Sequence, residues 1–243
     1  MEFKPLVVMV GADKGGVGKT TVTRTLIDYA VDHKTKYRAY DTEEPFGVLH
    51  RFYPQTTEIL DLTKSTNQMK VFDTLTSQLV TIIDVRAGLL SPTLKTMGEV
   101  GLLNMVRNKD VNLAILHVLG PTLASLREIK LTADVIPGAN HFLVKNHVNN
   151  TTFFDWDKQA YDAAFSDIRS GIIDIPQLDP LAAEHVENAG VTFTQYIGNL
   201  DNTGQPARHS LVLRGYVKTW LANVYAAFND VGIHDILQNG SAS

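Results

Sequence analysis

The run G-A-D-K-G-G-V-G-K-T-T, residues Gly11 to Thr21, decides how the rest of the chain is read. It follows an apolar stretch from Pro5 to Val10 that reads as a strand, and it leads into a helical pattern beginning near Lys19. A strand, a glycine-rich loop and a helix in that order form a cradle for phosphate. Gly15, Gly16 and Gly18 let the backbone fold tightly and aim its N–H groups inward. An anion held there meets unpaired N–H groups and the positive end of a helix dipole. Val17, Gly18, Thr20 and Thr21 complete the cradle, Lys19 is placed to reach the β- and γ-phosphates, and the Thr20 hydroxyl to ligate Mg²⁺.

The common pattern G-x-x-x-x-G-K-[ST] fails at one place, because its first glycine would fall on Asp13. What stands instead is K-G-G-V-G-K-T, with Lys14 five residues ahead of Lys19. This resembles the deviant Walker A box of the ParA/MinD family of ATPases. The resemblance implies that Lys14 reaches across a nucleotide-sandwich homodimer to the partner's phosphates. The plain alternative is a solvated loop lysine. Asp13 is assigned no catalytic part, since its charge sits badly beside a triphosphate unless it points away or pairs with a lysine.

The chain has 243 residues, 44% of them hydrophobic, which suffices for one large core. We expect a single phosphate-loop domain over 1–243. Formal charge is −4, unevenly spread. Residues 1–150 hold 17 Lys+Arg against 15 Asp+Glu, and residues 151–243 hold 5 against 11. The second part is therefore no basic nucleic-acid surface. A basic patch would have to come from Lys34, Lys36 and Arg38, or from Arg127 and Lys130, clusters that are more often solvated faces. Cysteine is absent, which removes disulfides and cysteine-held metal clusters. No apolar run approaches the ~20 residues of a membrane span, and the N-terminus lacks a signal peptide's apolar core, so a cytoplasmic location is expected.

Apolar runs alternate with helical patterns, which predicts an α/β fold: a doubly wound, mostly parallel sheet flanked by helices. Strands are predicted at 36–41, 58–62, 79–84, 111–119, 140–145 and 171–175 after the first. Helices are predicted at 20–33, 67–78, from Pro92 to Arg107, 121–135, 154–169, 179–188 and 207–230. The stretch 191–196 reads as extended or irregular. In the last helix Leu211, Tyr216, Trp220, Val224 and Phe228 are the expected buried residues. In the first, Val22, Leu26, Ala30 and Val31 share a side.

In open α/β sheets ligands bind at the C-terminal ends of strands. Two acids end strands there. Asp41 opens Y-D-T-E-E-P, Tyr40 to Pro45, whose position matches the family's D-x-D switch; the resemblance implies that Asp41 supports the metal and Glu43 orients the attacking water. Glu43 is one methylene longer than the family's acid, so water is held differently and hydrolysis slowed or altered. Alternatively Glu43 and Glu44 are ordinary exposed acids. Asp84 ends T-I-I-D-V-R-A-G, Thr81 to Gly88, and resembles the Walker B acid that holds Mg²⁺; a loop-capping aspartate is the alternative. Gly88 resembles the glycine whose N–H senses a γ-phosphate. Arg86 stands where the family has proline, and either approaches phosphate or a partner or lies in solvent.

Asn146, just beyond a strand in F-L-V-K-N-H-V-N, resembles the family's adenine-reading asparagine, and Pro176 in I-P-Q-L-D-P-L-A its base-packing loop. ATP is therefore expected over GTP, whose site would want an acid after N-K. The eight histidines are scattered without metal-ligand spacing. The motif order resembles that of short ParA-type proteins, and D-T-[DE]-x-P that of the conjugal-transfer branch (TraL/StbB-like). The expected activity is a slow, partner-stimulated ATP hydrolase that dimerises with Mg-ATP and moves plasmid, DNA or other cargo. A ParB-like stimulating partner and weak DNA binding by the ATP dimer are expected, and no membrane anchor. The alternatives are a ligase or kinase resembling dethiobiotin synthetase, and a nucleotide-binding scaffold without hydrolysis.

Overall fold

The computed structural model describes residues 4–12, 14–75, 80–120, 129–133, 136, 138–147 and 170–239. Among these, seven strands form one sheet: β1 (Leu6–Gly11), β2 (Tyr37–Asp41), β3 (Thr57–Ile59), β4 (Val80–Asp84), β5 (Asn112–Val118), β6 (Asn140–Asn146) and β7 (Gly171–Ile175). Their order is β3-β2-β4-β1-β5-β6-β7. Every pairing is parallel, so the expected mostly parallel sheet is wholly so. The helices are α1 (Lys19–Asp32), α2 (Val48–Phe52), α3 (Ser65–Phe72), α4 (Leu90–Glu99), α5 (Leu102–Arg107), α6 (Pro180–Ala189), α7 (Phe193–Ile197), α8 (Leu211–Asp230) and α9 (Ile233–Asn239). A further helical piece covers 129–133.

A parallel sheet must be covered on both faces, which is why β1 is apolar at successive positions. Leu6, Val8 and Val10 point into one core with Val22 and Leu26 of α1, Val186 of α6 and Val217 and Val224 of α8. Val7 and Met9 point into the other, with Val71 of α3, Leu94 of α4 and Leu103 of α5. The chain passes from β1 towards β2 on one side and later returns to β5 on the other. The phosphate loop thus leaves β1 where the order reverses, the usual position for a ligand crevice.

Several boundaries differ from the sequence reading. The helix expected from Pro92 to Arg107 is two helices, because Gly101 takes φ 80° and starts α5 afresh. The irregular piece at 191–196 contains α7, begun by a reciprocal cap in which the Thr192 side chain accepts from Gln195 N and Gln195 returns the bond. The closing helix begins at Leu211 behind the Ser210 cap, not at 207. Its buried stripe is Leu213, Val217, Trp220, Leu221, Val224 and Phe228, while Leu211 and Tyr216 are 77% and 50% exposed. Val31 is likewise exposed. The helix expected at 154–169, and most of that at 121–135, lie outside the described residues. Among the described residues no helix is long and apolar enough to cross a membrane.

Two buried polar clusters were not foreseen. His117 and His141 stack on neighbouring strands, His117 Nε2 lying 3.0 Å from His141 Nδ1, and burial pushes His117 down to about 3, so the pair is neutral. They are core histidines, and among the described residues no group of three or more His, Cys, Asp or Glu is placed to hold a metal ion. The other cluster ties α1 to the C-terminal helices. The Arg24 guanidinium lies between the Phe52 and Phe193 rings and donates to Glu187 and to Val191 O. Beside it, Asp28 accepts from the Tyr53 hydroxyl at 2.8 Å and from Thr194 N at 3.2 Å.

Burial raises Asp28 to about 6, against the opposing pull of Tyr53, Thr194 and Arg24. A carboxyl raised on folding stabilises fully below its unfolded value near 4, and that contribution is lost as pH rises through about 6. Relative to Asp28→Asn, the wild-type chain should therefore lose about 2 kcal/mol between pH 4 and pH 7. Urea unfolding of both proteins across that range checks this; a constant difference contradicts it.

Candidate functional site

The site grows from the junction of β1 and α1. Gly18 caps α1 in the left-handed region, φ 84° and ψ 30°, with no side chain capping the helix. The first amides of α1 are thus left without a side-chain acceptor and suit an anion. The conformation favours glycine, and so does the neighbourhood: a Cβ at Gly18 would lie 2.2 Å from Asn146 Nδ2. That nitrogen donates to Val17 O at 3.2 Å and Gly18 O at 3.1 Å. Asn146 is 3% exposed at the end of β6, so it braces the phosphate loop from below. The expected reader of adenine is thereby committed, through its amide nitrogen, to the loop backbone. Pro176 follows Ile175, the β7 partner of Asn146, and its carbonyl accepts from Trp220 Nε1 at 2.7 Å.

Lys19, Thr20 and Thr21 form the first turn of α1, half-buried. Beneath them Asp84 ends β4, paired in register with Asp41 at the end of β2. Burial raises Asp84 to about 7, with the Asp41 charge adding to the effect; the Thr20 hydroxyl, the Lys19 ammonium and the Thr23 hydroxyl pull the other way. Its Oδ1 is buried without a hydrogen-bond partner among the described residues. A buried carboxylate oxygen left over, beside a hydroxyl and a second carboxylate, is a hard-oxygen donor set that fits Mg²⁺. A cation there would supply the positive charge that burial withholds.

Asp41 has backbone partners that the sequence did not disclose. Its Oδ1 accepts from Glu43 N at 3.0 Å, and its Oδ2 from Leu49 N at 2.7 Å and His50 N at 3.3 Å. Three of about four acceptor positions are taken. The carboxylate chiefly anchors α2 and the start of the Glu43 loop, and one lone pair is left for a metal or its water.

Glu43 itself is exposed, and Glu44 pairs with Lys64 at 2.9 Å. Arg86 is exposed too. The Gly88 N–H donates to Ala12 O at 3.2 Å, so in this arrangement the phosphate-sensing candidate is turned onto the phosphate loop. Lys14 is exposed, beside a small cleft bordered by Leu90, His117 and Ile129. Asp13 lies outside the described residues. Sequence reasoning missed Thr42 and Thr23, whose roles depend on partners distant in the chain or a turn away.

The remaining features lie elsewhere. A cavity of about 440 Å³ sits at the opposite end of the sheet, near Tyr37, Thr56 and the last turn of α1, away from these groups. Among the expected basic residues, Lys34, Lys36 and Lys130 are exposed. Arg38 is spent on Thr81, Thr74 and Val71 O, and Arg127 lies outside the described residues.

The fold is shared with nucleotide-binding proteins of known structure. MinD, the septum site-determining protein of Pyrococcus horikoshii, complexed with Mg-ADP, is 15% identical with a TM-score of 0.57, over 97% of this chain and 99% of that one. An McdA variant from Cyanothece in complex with ATP is 10% identical with a TM-score of 0.53, covering 98% of each chain. A nucleotide-binding protein from Archaeoglobus fulgidus in complex with ADP is 16% identical with a TM-score of 0.51, over 76% of this chain and 86% of that one. No family model and no curated protein matches the chain. At these identities the likeness is one of fold: a parallel α/β phosphate-loop architecture.

Proposed function

We propose that the chain is a ParA/MinD-type ATPase, one domain over 1–243, that uses Mg-ATP to pair with a second copy of itself. The observation that carries this reading is the convergence of Lys19, Thr20 and Thr23 on the buried Asp84 carboxylate beneath the uncapped start of α1. The phosphate loop holds the triphosphate with its amides, and Lys19 offsets charge on the β- and γ-phosphates. Thr20 and Asp84 would hold Mg²⁺, with Asp41 behind them; the metal, when bound, neutralises charge that develops on the phosphates. Asn146 keeps the loop in shape, with Pro176 beside the base. Lys14 extends to the partner's nucleotide, and Glu43 orients the water that attacks the γ-phosphate. Hydrolysis removes the group that both copies share, and the pair separates. The ATP and ADP complexes of the structural relatives support the choice of nucleotide.

Cargo positioning, partition or conjugal transfer in the cytoplasm, with a ParB-like stimulating protein, is the role such a cycle suits. DNA binding would be weak and salt-sensitive, and would arise only when basic patches of two ATP-bound copies combine. The test is turnover of ATP by the full chain, alone, with DNA, and with a co-purifying protein. Slow turnover that a partner raises supports the reading. Transfer of phosphate or ligation of a small molecule would show an enzyme of the dethiobiotin synthetase kind. Tight binding with no turnover under any condition would show a scaffold.

A further inference from the structure

The loop after β2, residues 42–47, carries Glu43, and the loop after β4, residues 85–89, carries Arg86 and Gly88. One buried side chain joins them. Thr42 is 4% exposed. Its hydroxyl donates to Asp84 O at 3.1 Å and accepts from Arg86 N at 2.7 Å, while its own N–H also donates to Asp84 O at 3.1 Å. The hydroxyl therefore spends its donor on the end of β4, 42 residues on, and an acceptor position on the second loop, 44 residues on. Beyond Arg86, Gly88 N bonds Ala12 O at the phosphate loop. On the other side Asp41, the residue before Thr42, holds Glu43 N through Oδ1. Hydrogen bonds and short stretches of chain thus connect Ala12 to Glu43: Gly88 bonds Ala12 and Arg86 bonds Thr42, while the segments 86–88 and 42–43 are linked along the backbone.

We propose that Thr42 is a positioning residue that makes the Gly88 loop and the Glu43 loop move as one. This rests on the nucleotide reading above and deepens it: a γ-phosphate that drew the Gly88 amide from Ala12 would shift Arg86, and Thr42 would carry that shift to Glu43. Valine has nearly the shape of threonine but would leave the Arg86 amide without its acceptor, so the clip is removed with little change of packing. Serine keeps the hydroxyl.

The experiment compares the full chain with Thr42→Val and Thr42→Ser by amide hydrogen exchange and by turnover. Without nucleotide, Thr42→Val should speed exchange in both 42–47 and 85–89 by about tenfold, and Thr42→Ser should return both towards wild type. With Mg-ATP, kcat should fall about tenfold in the Val variant while ADP affinity stays within about twofold. Faster exchange in one loop only or in neither overturns the proposal. So does a Ser variant no better than Val, or a loss shared equally by ADP binding and turnover. Should Val prevent folding, Thr42→Ala removes the same hydroxyl and is read in the same two ways. A wild-type chain that turns over no ATP would sink the hydrolysis reading, and the exchange comparison would still decide the clip.

Discussion

Lys14→Ala is expected to abolish ATP-dependent pairing of two chains while leaving each chain able to bind nucleotide. Lys14 is exposed, next to the loop whose glycines shape the cradle. Its own cradle already has Lys19 against Asp84. Removing Lys14 therefore takes little from a lone chain but leaves a triphosphate charge uncompensated at the face of a pair. Truncating one partner of a buried interfacial charge pair costs about 2–5 kcal/mol, which is roughly 30-fold to several thousand-fold in dimer dissociation. Light scattering with a non-hydrolysable ATP analogue, beside calorimetry with ADP, separates the two effects. ADP affinity should hold within about threefold. A variant that pairs as the wild type does would show Lys14 to be a solvated loop lysine.

The second large effect is expected at Gly18. Gly18→Ala must hold a Cβ at φ 84° and place it 2.2 Å from Asn146 Nδ2. The backbone strain alone is about 1–2 kcal/mol, and the displaced brace adds to it. Because the first turn of α1 hangs on this residue, nucleotide affinity should fall more than about a hundredfold, beyond what lost stability explains. Gly15→Ala should cost the fold less, since nothing lies within 4 Å of a Cβ there and its φ is not positive. Adding Asn146→Ala to Gly18→Ala should relieve the clash but not the strain, recovering part of the thermal stability. If Gly18→Ala binds nucleotide like wild type, the loop is not shaped by this contact.

These two residues also mark how far the sequence could be read. The glycine run, the strands on either side of it and the acids ending β2 and β4 were legible, because each is a local pattern with one structural outcome. The placement of α7 was also written locally, as Thr192 and Gln195 three apart, but the alternation of Val191 and Phe193 with threonines reads equally as an extended piece. The face of α8 was legible at Trp220, Val224 and Phe228 but not in its first turns, where Leu211 and Tyr216 are apolar and exposed and periodicity alone does not say which stripe meets the sheet. The break before α5 needed the conformation of Gly101, since a glycine inside a helical pattern is equally compatible with one continuous helix.

Within the site, residue types were legible and their partners were not. Asp41 could be placed at the end of β2, yet its pairing with Asp84 and the amides of α2 that its Oδ2 accepts from are not connected to it by any spacing rule. Asn146 could be placed at the C-terminal end of β6, but its hold on Val17 and Gly18 spans more than a hundred residues. Thr42 carried no local signal, since a hydroxyl becomes a clip only when β2 and β4 lie side by side. The Arg24, Asp28 and Glu187 cluster is of the same kind, assembled by the packing of α1 against the C-terminal helices.

The most direct test of the account is the mass of the wild-type chain in solution with Mg²⁺ and a non-hydrolysable ATP analogue, against the same protein with ADP. Two copies closing on shared triphosphates require the 26.8 kDa species to double with the analogue and to remain single with ADP. An unchanged mass with saturating analogue, or equal doubling with both nucleotides, would contradict it.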